Sequence, residues 1–400
     1  MPKNKNERQQ KPPRKVPFSK VLCDGDELRL VGEVLAGGWL TTGPKTALFE
    51  KLFAEKVLAR HALAVNSCTA ALHLGLEAVG IRAGDKVLVP TMTFSASAEV
   101  VRYLGADPIF LDVEYGTALV TPEILLDSIQ AHPGAKAFIP VHFAGQSAKM
   151  LSDKEGEGIL EICRRNGIAV VEDAAHAFPA KASGKTVGSI GDVTCFSFYA
   201  NKTITTGEGG MVTTDNDKVA ERIKIMRLHG INRDVWNRYS EPGASWEYDV
   251  IAPGYKYNMP DVNAAIGLAQ LEKADTMRNA RQRCAEYYFE KLSGVDCLDL
   301  PVVRVPIEDH AWHLFVVILN EKARIARNDF IKYMTEMGIG TSVHFKPLHR
   351  MTYYRDRYGL RPEDFPEAER IWRGNVSLPI YPSMTNEDLD YVCSGIMKLL

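Results

Sequence analysis

Apolar residues along this chain follow two alternating patterns. Short β-rich runs occur at Leu63–Val65, Val87–Val89, Ile109–Leu111, Phe138–Val141 and Ala169–Val171. Between them, apolar positions recur at helical spacing over Ala70–Val79, Ser95–Leu104, Pro122–Ile129 and Ile159–Asn166. Continuous apolar runs bounded by polar turns predict strands buried on both faces, and the intervening segments predict the helices that cover them. Two further strands flank Lys202, the second over Met211–Thr214. The expected fold is α/β: a sheet of about seven mostly parallel strands flanked by helices, followed by a small α+β unit.

Ahead of this region, Asp26–Leu35 predicts an amphipathic helix that runs into a loop, Gly37 to Thr46. Gly38 and Gly43 are spaced as in a phosphate loop, but Pro44 displaces Lys45 by one position and no strand precedes it. That excludes a nucleotide-hydrolysing P-loop. The loop is expected to offer backbone amides to a substrate. No Gly-x-Gly-x-x-Gly follows the first strand, which removes the main dinucleotide fingerprint. Beyond Thr214 the pattern changes to a long helix, Asn263–Leu292, then a strand at His313–Leu319 and a helix at Arg327–Met337. A strand at Gly340–Phe345 and a closing helix after Asn386 complete one small sheet with helices on a single face. The expected organisation is an arm over 1–17, a large domain over 18–265 and a small domain over 266–400 that includes the connecting helix.

The arm is polar and basic, and its composition predicts disorder rather than a nucleic-acid contact. The net charge of −2 advertises neither a polyanion partner nor a membrane surface. Seven cysteines lie scattered without a Cys-x-x-Cys pair, which argues against zinc and disulfide frameworks and suits a reducing compartment. No apolar run approaches the ~18 residues of a membrane span. These features predict a cytoplasmic protein with no metal, nucleic-acid or membrane partner.

The chemistry gathers at strand ends. In Cys195–Gly210 an apolar strand turns polar at Asn201 and presents Lys202 ahead of a glycine cluster. Burial lowers a lysine pKa and frees its lone pair for reaction with a carbonyl, although a single loop lysine is usually only solvated. In Val65–Leu72 a strand ends in Ser67, Cys68 and Thr69, and a helix N-terminus there is an anion site as well as an ordinary cap. In Val170–His176 an apolar strand ends in Glu172 and Asp173, with His176 one turn on. An acid pair there is costly unless something positive meets it, and Asp173 suits a pyridinium nitrogen. Phe94, in Pro90–Phe94, offers a ring to stack on a flat cofactor or simply to pack. An anion cup, a carboxylate, an aromatic and a lysine are the parts that pyridoxal 5′-phosphate needs.

In these motifs, together with Trp39–Pro44, Gly207–Gly210 and Gly254–Met259, the chain resembles the DegT/DnrJ/EryC1/StrS sugar aminotransferases from about residue 20 onward. These are fold-type I pyridoxal-phosphate enzymes. The resemblance implies that Lys202 forms the Schiff base, Asp173 meets the pyridine nitrogen and Phe94 stacks on the ring. It also implies phosphate contacts from Ser67, Cys68, Thr69 and Ser197, and places His176 near the cofactor hydroxyl. Asn258 matches an asparagine that reaches the neighbouring subunit's phosphate, implying a homodimer with shared active sites. Cys68 stands where the family commonly has glycine.

Two branches are resembled about equally, the UDP-4-amino-4-deoxy-L-arabinose aminotransferases and the GDP-perosamine synthases. Both point to transfer from L-glutamate to a nucleotide-linked 4-keto sugar, with pyridoxamine 5′-phosphate as the intermediate form of the cofactor. Such amino sugars serve cell-surface glycans, including lipopolysaccharide. Thr42, His229 and His344 are the candidate substrate contacts. A 3-aminotransferase shares nearly every motif, and a non-catalytic sensor of cofactor or sugar nucleotide would keep the cup without cycling it. A related 3-dehydratase carries histidine in place of Lys202.

Overall fold

The computed structural model describes residues 14–232 and 248–400. Most of the arm expected over 1–17 lies outside the described residues. Its last residues do not behave as a disordered arm: Val16 is fully buried, and its backbone pairs with Gly338 and Gly340. Arg14 reaches Asp388 and Glu387.

Seven strands form the main sheet: β1 (His61–Val65), β2 (Lys86–Pro90), β3 (Asp107–Leu111), β4 (Ala137–Phe138), β5 (Ala169–Asp173), β8 (Val193–Ser197) and β9 (Gly210–Thr214). A hairpin of β6 (Lys181–Ala182) and β7 (Lys185–Thr186) stands apart. The order is β1-β9-β8-β5-β4-β2-β3, and β9 alone runs against the other six. β4 is shorter than the apolar run Phe138–Val141 suggested, because Pro140 has no N–H to donate to the ladder.

The sheet is covered on both faces, as alternation along a strand requires. Val87, Val89 and Val171 pack with the helices Cys68–Ala78, Ala96–Tyr103 and Asp217–Met226. Leu88 and Val170 point the other way, towards Leu125 and Ile162 of Pro122–Ala131 and Ile159–Arg165.

Three differences from the expected layout matter for the site. A helix absent from the sequence reading spans Pro44–Val57, with its proline at the first turn where no N–H is needed. The expected long helix over 263–292 is two helices, Asp261–Glu272 and Ala274–Leu292, divided at Lys273. The segment Gly340–Phe345 is not a strand. It makes a single bridge, Ser342 to Ser377, and then carries His344 and Phe345 into a cleft.

The C-terminal sheet is antiparallel, with β10 (Leu298–Asp299), β11 (Phe315–Leu319) and β12 (Asn375–Leu378) in that order. Its helices lie on both faces rather than one. Phe315 and Val317 meet Tyr288, Phe330 and Val392, whereas Val316 and Ile318 meet Ala368 and Ile371 of Pro366–Gly374.

Candidate active site

The C-terminal ends of the parallel strands, with loops from the smaller unit, enclose a cavity of about 350 Å³. Ligands collect at this edge of open α/β sheets because strand ends expose loop amides and helix N-termini there. Of the residues singled out above, Ser67, Cys68, Thr69, Phe94, Asp173, His176, Ser197, Lys202 and His344 line it.

Lys202 sits in a wound loop between β8 and β9. Its amide donates to the Tyr199 carbonyl at 3.0 Å, and Thr206 N and Thr205 Oγ1 both donate to Phe198 O at 3.0 Å. Thr203 Oγ1 donates to Phe178 O, so hydroxyl residues hold the loop from within. Burial pulls the Lys202 ammonium down to about 8, against weaker opposing effects of Cys68 and Asp173. The lysine is therefore not an ordinary solvated loop residue.

Ser67 caps the helix Cys68–Ala78 by accepting from Ala70 N at 3.0 Å. The amides of Cys68 and Thr69, first in the helix, have no backbone acceptor, and both residues line the cavity. Gly210 is pressed against this turn: a Cβ there would stand 2.5 Å from Ser67 C and 2.7 Å from Cys68 N. Cys68 is buried, and burial pushes its thiol well above the usual range, so it remains an uncharged SH beside the amides.

Asp173 closes β5 with its carboxylate held by two donors, Ser97 Oγ at 2.7 Å and Ala175 N at 3.1 Å. The hydroxyls of Thr93 and Ser97 are 2.7 Å apart, so a relay from the loop after β2 positions this carboxylate. Glu172 points to the other side of the strand, away from the cavity. It accepts from Gly191 N at 2.7 Å and Thr194 Oγ1 at 2.6 Å, and lies 2.8 Å from His142 Nε2. His142 Nδ1 accepts from Ala148 N, so its proton sits on Nε2 and is given to Glu172. Glu172 is thus met by neighbouring donors, whereas Asp173, held only by Ser97 and Ala175, keeps accepting capacity on the cavity side.

Three imidazoles gather opposite Lys202. His176 and His313 lie 4.5 Å apart between ring centroids, and His176 and His344 6.4 Å. Desolvation, with the Lys202 charge behind it, drives His176 and His313 well below the ordinary histidine range and His344 down to about 4. All three are neutral at physiological pH. His313 was not among the residues selected from the sequence, where it stood only as the first residue of the expected strand His313–Leu319.

Three selected residues lie elsewhere. Asn258 Nδ2 donates to Thr42 Oγ1 at 2.7 Å, and Thr42 Oγ1 donates in turn to Met259 O at 2.5 Å, outside the cavity lining. His229 is exposed with φ 58, its amide bonded to Tyr255 O. The loop amides expected to meet a substrate are already taken: Gly43, Lys45 and Thr46 N all donate to the Asp261 carboxylate, at 2.8, 3.1 and 2.9 Å.

The residues fit pyridoxal 5′-phosphate. Free amides stand where a phosphate needs donors, Gly210 leaves room for them, and a positioned carboxylate shares the cavity with a lysine of lowered pKa. Fold and site together define a pyridoxal-phosphate-dependent aminotransferase. The model of the DegT/DnrJ/EryC1/StrS aminotransferase family matches residues 22–397, and the chain belongs to that family.

The chain is 44% identical over 380 residues to an uncharacterized protein, MJ1066, of Methanocaldococcus jannaschii, covering 94% of this chain and 96% of that one. It is 43% identical over 389 residues to the spore coat polysaccharide biosynthesis protein SpsC of Bacillus subtilis, covering 96% and 97%. Among solved structures, a putative sugar aminotransferase, Spr1654 from Streptococcus pneumoniae, in its PLP form superposes with a TM-score of 0.84 at 28% identity, covering 97% of this chain and 100% of that one. Among the described residues no helix is long and apolar enough to cross a membrane.

Proposed function

We propose that this aminotransferase moves the amino group of L-glutamate to the 4-keto carbon of a UDP- or GDP-linked sugar, in the cytoplasm, on the way to a surface polysaccharide. The observation that carries the transamination is a lysine with its pKa lowered to about 8 in one cavity with the held carboxylate of Asp173 and free helix N-terminal amides. The names of SpsC and Spr1654 support the sugar acceptor and the polysaccharide destination.

Each side chain has a task in this reading. Pyridoxal phosphate, when bound, supplies an electron-withdrawing ring and carries the amino group between the two substrates. The amides of Cys68 and Thr69, with the hydroxyls of Ser67 and Ser197, hold its phosphate. Asp173, fixed by Ser97 and Ala175, keeps the proton on the ring nitrogen. Phe94 covers one ring face, and His176 donates to the ring hydroxyl. Lys202 is the anchoring amine and the base that moves a proton at the substrate carbon. A base with a pKa of about 8 has an appreciable neutral fraction near pH 7 and still returns the proton readily.

Thr42, Asn258 and His229 do not line this chain's own cavity, so we assign them to the cavity of a second copy in a homodimer. Large apolar residues of the first two helices, Leu28 at 85% and Leu35 at 58% exposure among them, support a covered face there. His344, beside the cavity mouth with Phe345, is assigned to the sugar.

The test is the visible spectrum of cofactor-loaded protein before and after L-glutamate. Loss of the visible band with release of 2-oxoglutarate is expected, followed by its return when UDP- or GDP-linked 4-keto sugars are supplied. A band that ignores glutamate would refute the donor and favour a binding-only role. NMR of the product separates C4 from C3 amination. Lys202→Ala should abolish turnover while still binding pyridoxamine phosphate, and retained turnover would end the assignment.

A further inference from the structure

The cavity poses an electrostatic problem for the donor substrate. L-glutamate brings two carboxylates, yet among the described residues that line the cavity Lys202 is the only lysine or arginine. Asp173 and Glu208 add negative charge to the same walls. On this chain's own walls the other donors open to the carboxylates are neutral, and three of them are the clustered histidines.

The fold goes to some length to present His313. Trp312 just before it adopts φ 49, a left-handed conformation that costs a bulky residue energy and that the surroundings must enforce. That enforcement is visible. Trp312 is fully buried, and its amide donates to His310 Nδ1 at 2.8 Å. Ala311 N donates to Gly145 O at 2.9 Å, and Leu314 N to Ala144 O at 3.1 Å. Arg281, itself buried, donates to the His313 carbonyl at 3.3 Å and to Ile380 O at 2.8 Å. A Cβ on Gly145 would come within 3.0 Å of His313 N, so the two backbones need that glycine.

The ring at the end of this support is 4% exposed, and its Nδ1 has no hydrogen-bond partner. A buried lone pair without a partner is more tolerable than a buried N–H without one, so the proton belongs on Nε2. His176 reaches the same tautomer by another route, because Ala144 N donates to its Nδ1 at 3.3 Å. Two neighbouring imidazoles thus carry their N–H on Nε2 in the same cavity, and the mechanism above uses only one of them.

We infer that His313 is a substrate-binding residue: its Nε2–H donates to a carboxylate oxygen of the amino donor. Neutral donors of this kind bind the dicarboxylate without a second fixed positive charge that would depress the Lys202 amine further and weaken it as a base. This deepens the reading of the site as a glutamate-dependent aminotransferase and rests on it.

The test uses cofactor-loaded protein, with glutarate as an unreactive dicarboxylate in calorimetry and L-glutamate in the spectral half-reaction. His313→Phe keeps an aromatic ring against His176 and removes the N–H. His313→Gln keeps an N–H donor. In His313→Phe, the glutarate Kd and the half-saturating glutamate concentration should both rise about tenfold or more, as expected for loss of one hydrogen bond to a charged group. His313→Gln should recover part of the loss, and binding of UDP and GDP should change little in either variant. Unchanged glutarate and glutamate affinities in His313→Phe overturn the inference, and so does equal weakening of dicarboxylate and nucleotide. If the parent protein ignores glutamate, the aminotransferase reading fails, and the glutarate titration still decides His313 by itself.

Discussion

Replacing Lys202 with methionine should make the cofactor-free protein more stable at neutral pH. The lysine amine is pulled from 10.5 to about 8 chiefly by burial. Among the described residues it forms no salt bridge that offsets this. A displacement of that size corresponds to about 3 kcal/mol of penalty on the charged form, taken as an upper limit. A group with a depressed folded-state pKa favours the fold only where it is neutral. The stability it carries is therefore complete above the unfolded value near 10.5 and is lost as pH falls through about 8. At pH 7 the lysine is mostly charged in both states, and the folded state bears the full penalty. Methionine is similar in length and carries no charge. Urea unfolding of the two apoproteins at pH 7 should show the variant ahead by about 1–3 kcal/mol, the gap narrowing steadily from pH 8 towards pH 10. The same pKa sets cofactor capture: the rate at which apoprotein develops its visible band should rise with pH and level off above about 8. A variant no more stable than its parent at pH 7, or a gap that ignores pH, would refute the buried-amine argument.

Two other perturbations test the scaffold around the site. Gly210→Ala places a methyl carbon against the backbone of Ser67 and Cys68, where no flexible side chain can yield. Titration of apoprotein with pyridoxal phosphate should show affinity falling about tenfold or more, in line with ~1–3 kcal/mol for overpacking, and an unchanged Kd would mean the cup lies elsewhere. Asp261→Ala leaves the amides of Gly43, Lys45 and Thr46 and the Thr46 hydroxyl without their shared acceptor. Denaturation should register a loss of about 3 kcal/mol or more, and a loss below about 1 kcal/mol would mean that water replaces the carboxylate.

The fold class was legible because strands buried on both faces write continuous apolar runs, and the family because its motifs sit at the ends of those strands. What local patterns could not carry was anything set by a distant partner. The chain after Gly340 has strand-like composition, but the Gly340 amide is taken by Val16, from a segment whose flanking composition reads as disordered. The helix from Pro44 was hidden behind its glycine-rich approach, and the residue that caps its first turn, Asp261, stands more than two hundred positions on. Asn263–Leu292 keeps helical periodicity through Lys273. The break there follows from packing, since the first helix lies on the helices Glu27–Gly37 and Pro44–Val57 and the second against Asn386–Leu399.

The acid pair at the end of β5 shows why a site can be read in outline and still be misread in its electrostatics. From sequence, two adjacent carboxylates on a buried strand demanded a positive charge. Strand geometry splits the pair between opposite faces, so that only Asp173 is left to meet a positive group. Glu172 is satisfied by a backbone amide, a threonine hydroxyl and a neutral histidine. Asp173 keeps part of its accepting capacity, with only Ser97 and Ala175 holding it, and it shares the cavity with Lys202. The carboxylate left incompletely met is thus the one that faces the ligand. The histidines follow suit: His176, His313 and His344 stay uncharged beside Lys202, so no fixed cation depresses the lysine further and it keeps its strength as a base. The positive charge on this chain's cavity walls is thus confined to Lys202, whose lowered pKa lets the same amine serve in attachment and in proton transfer.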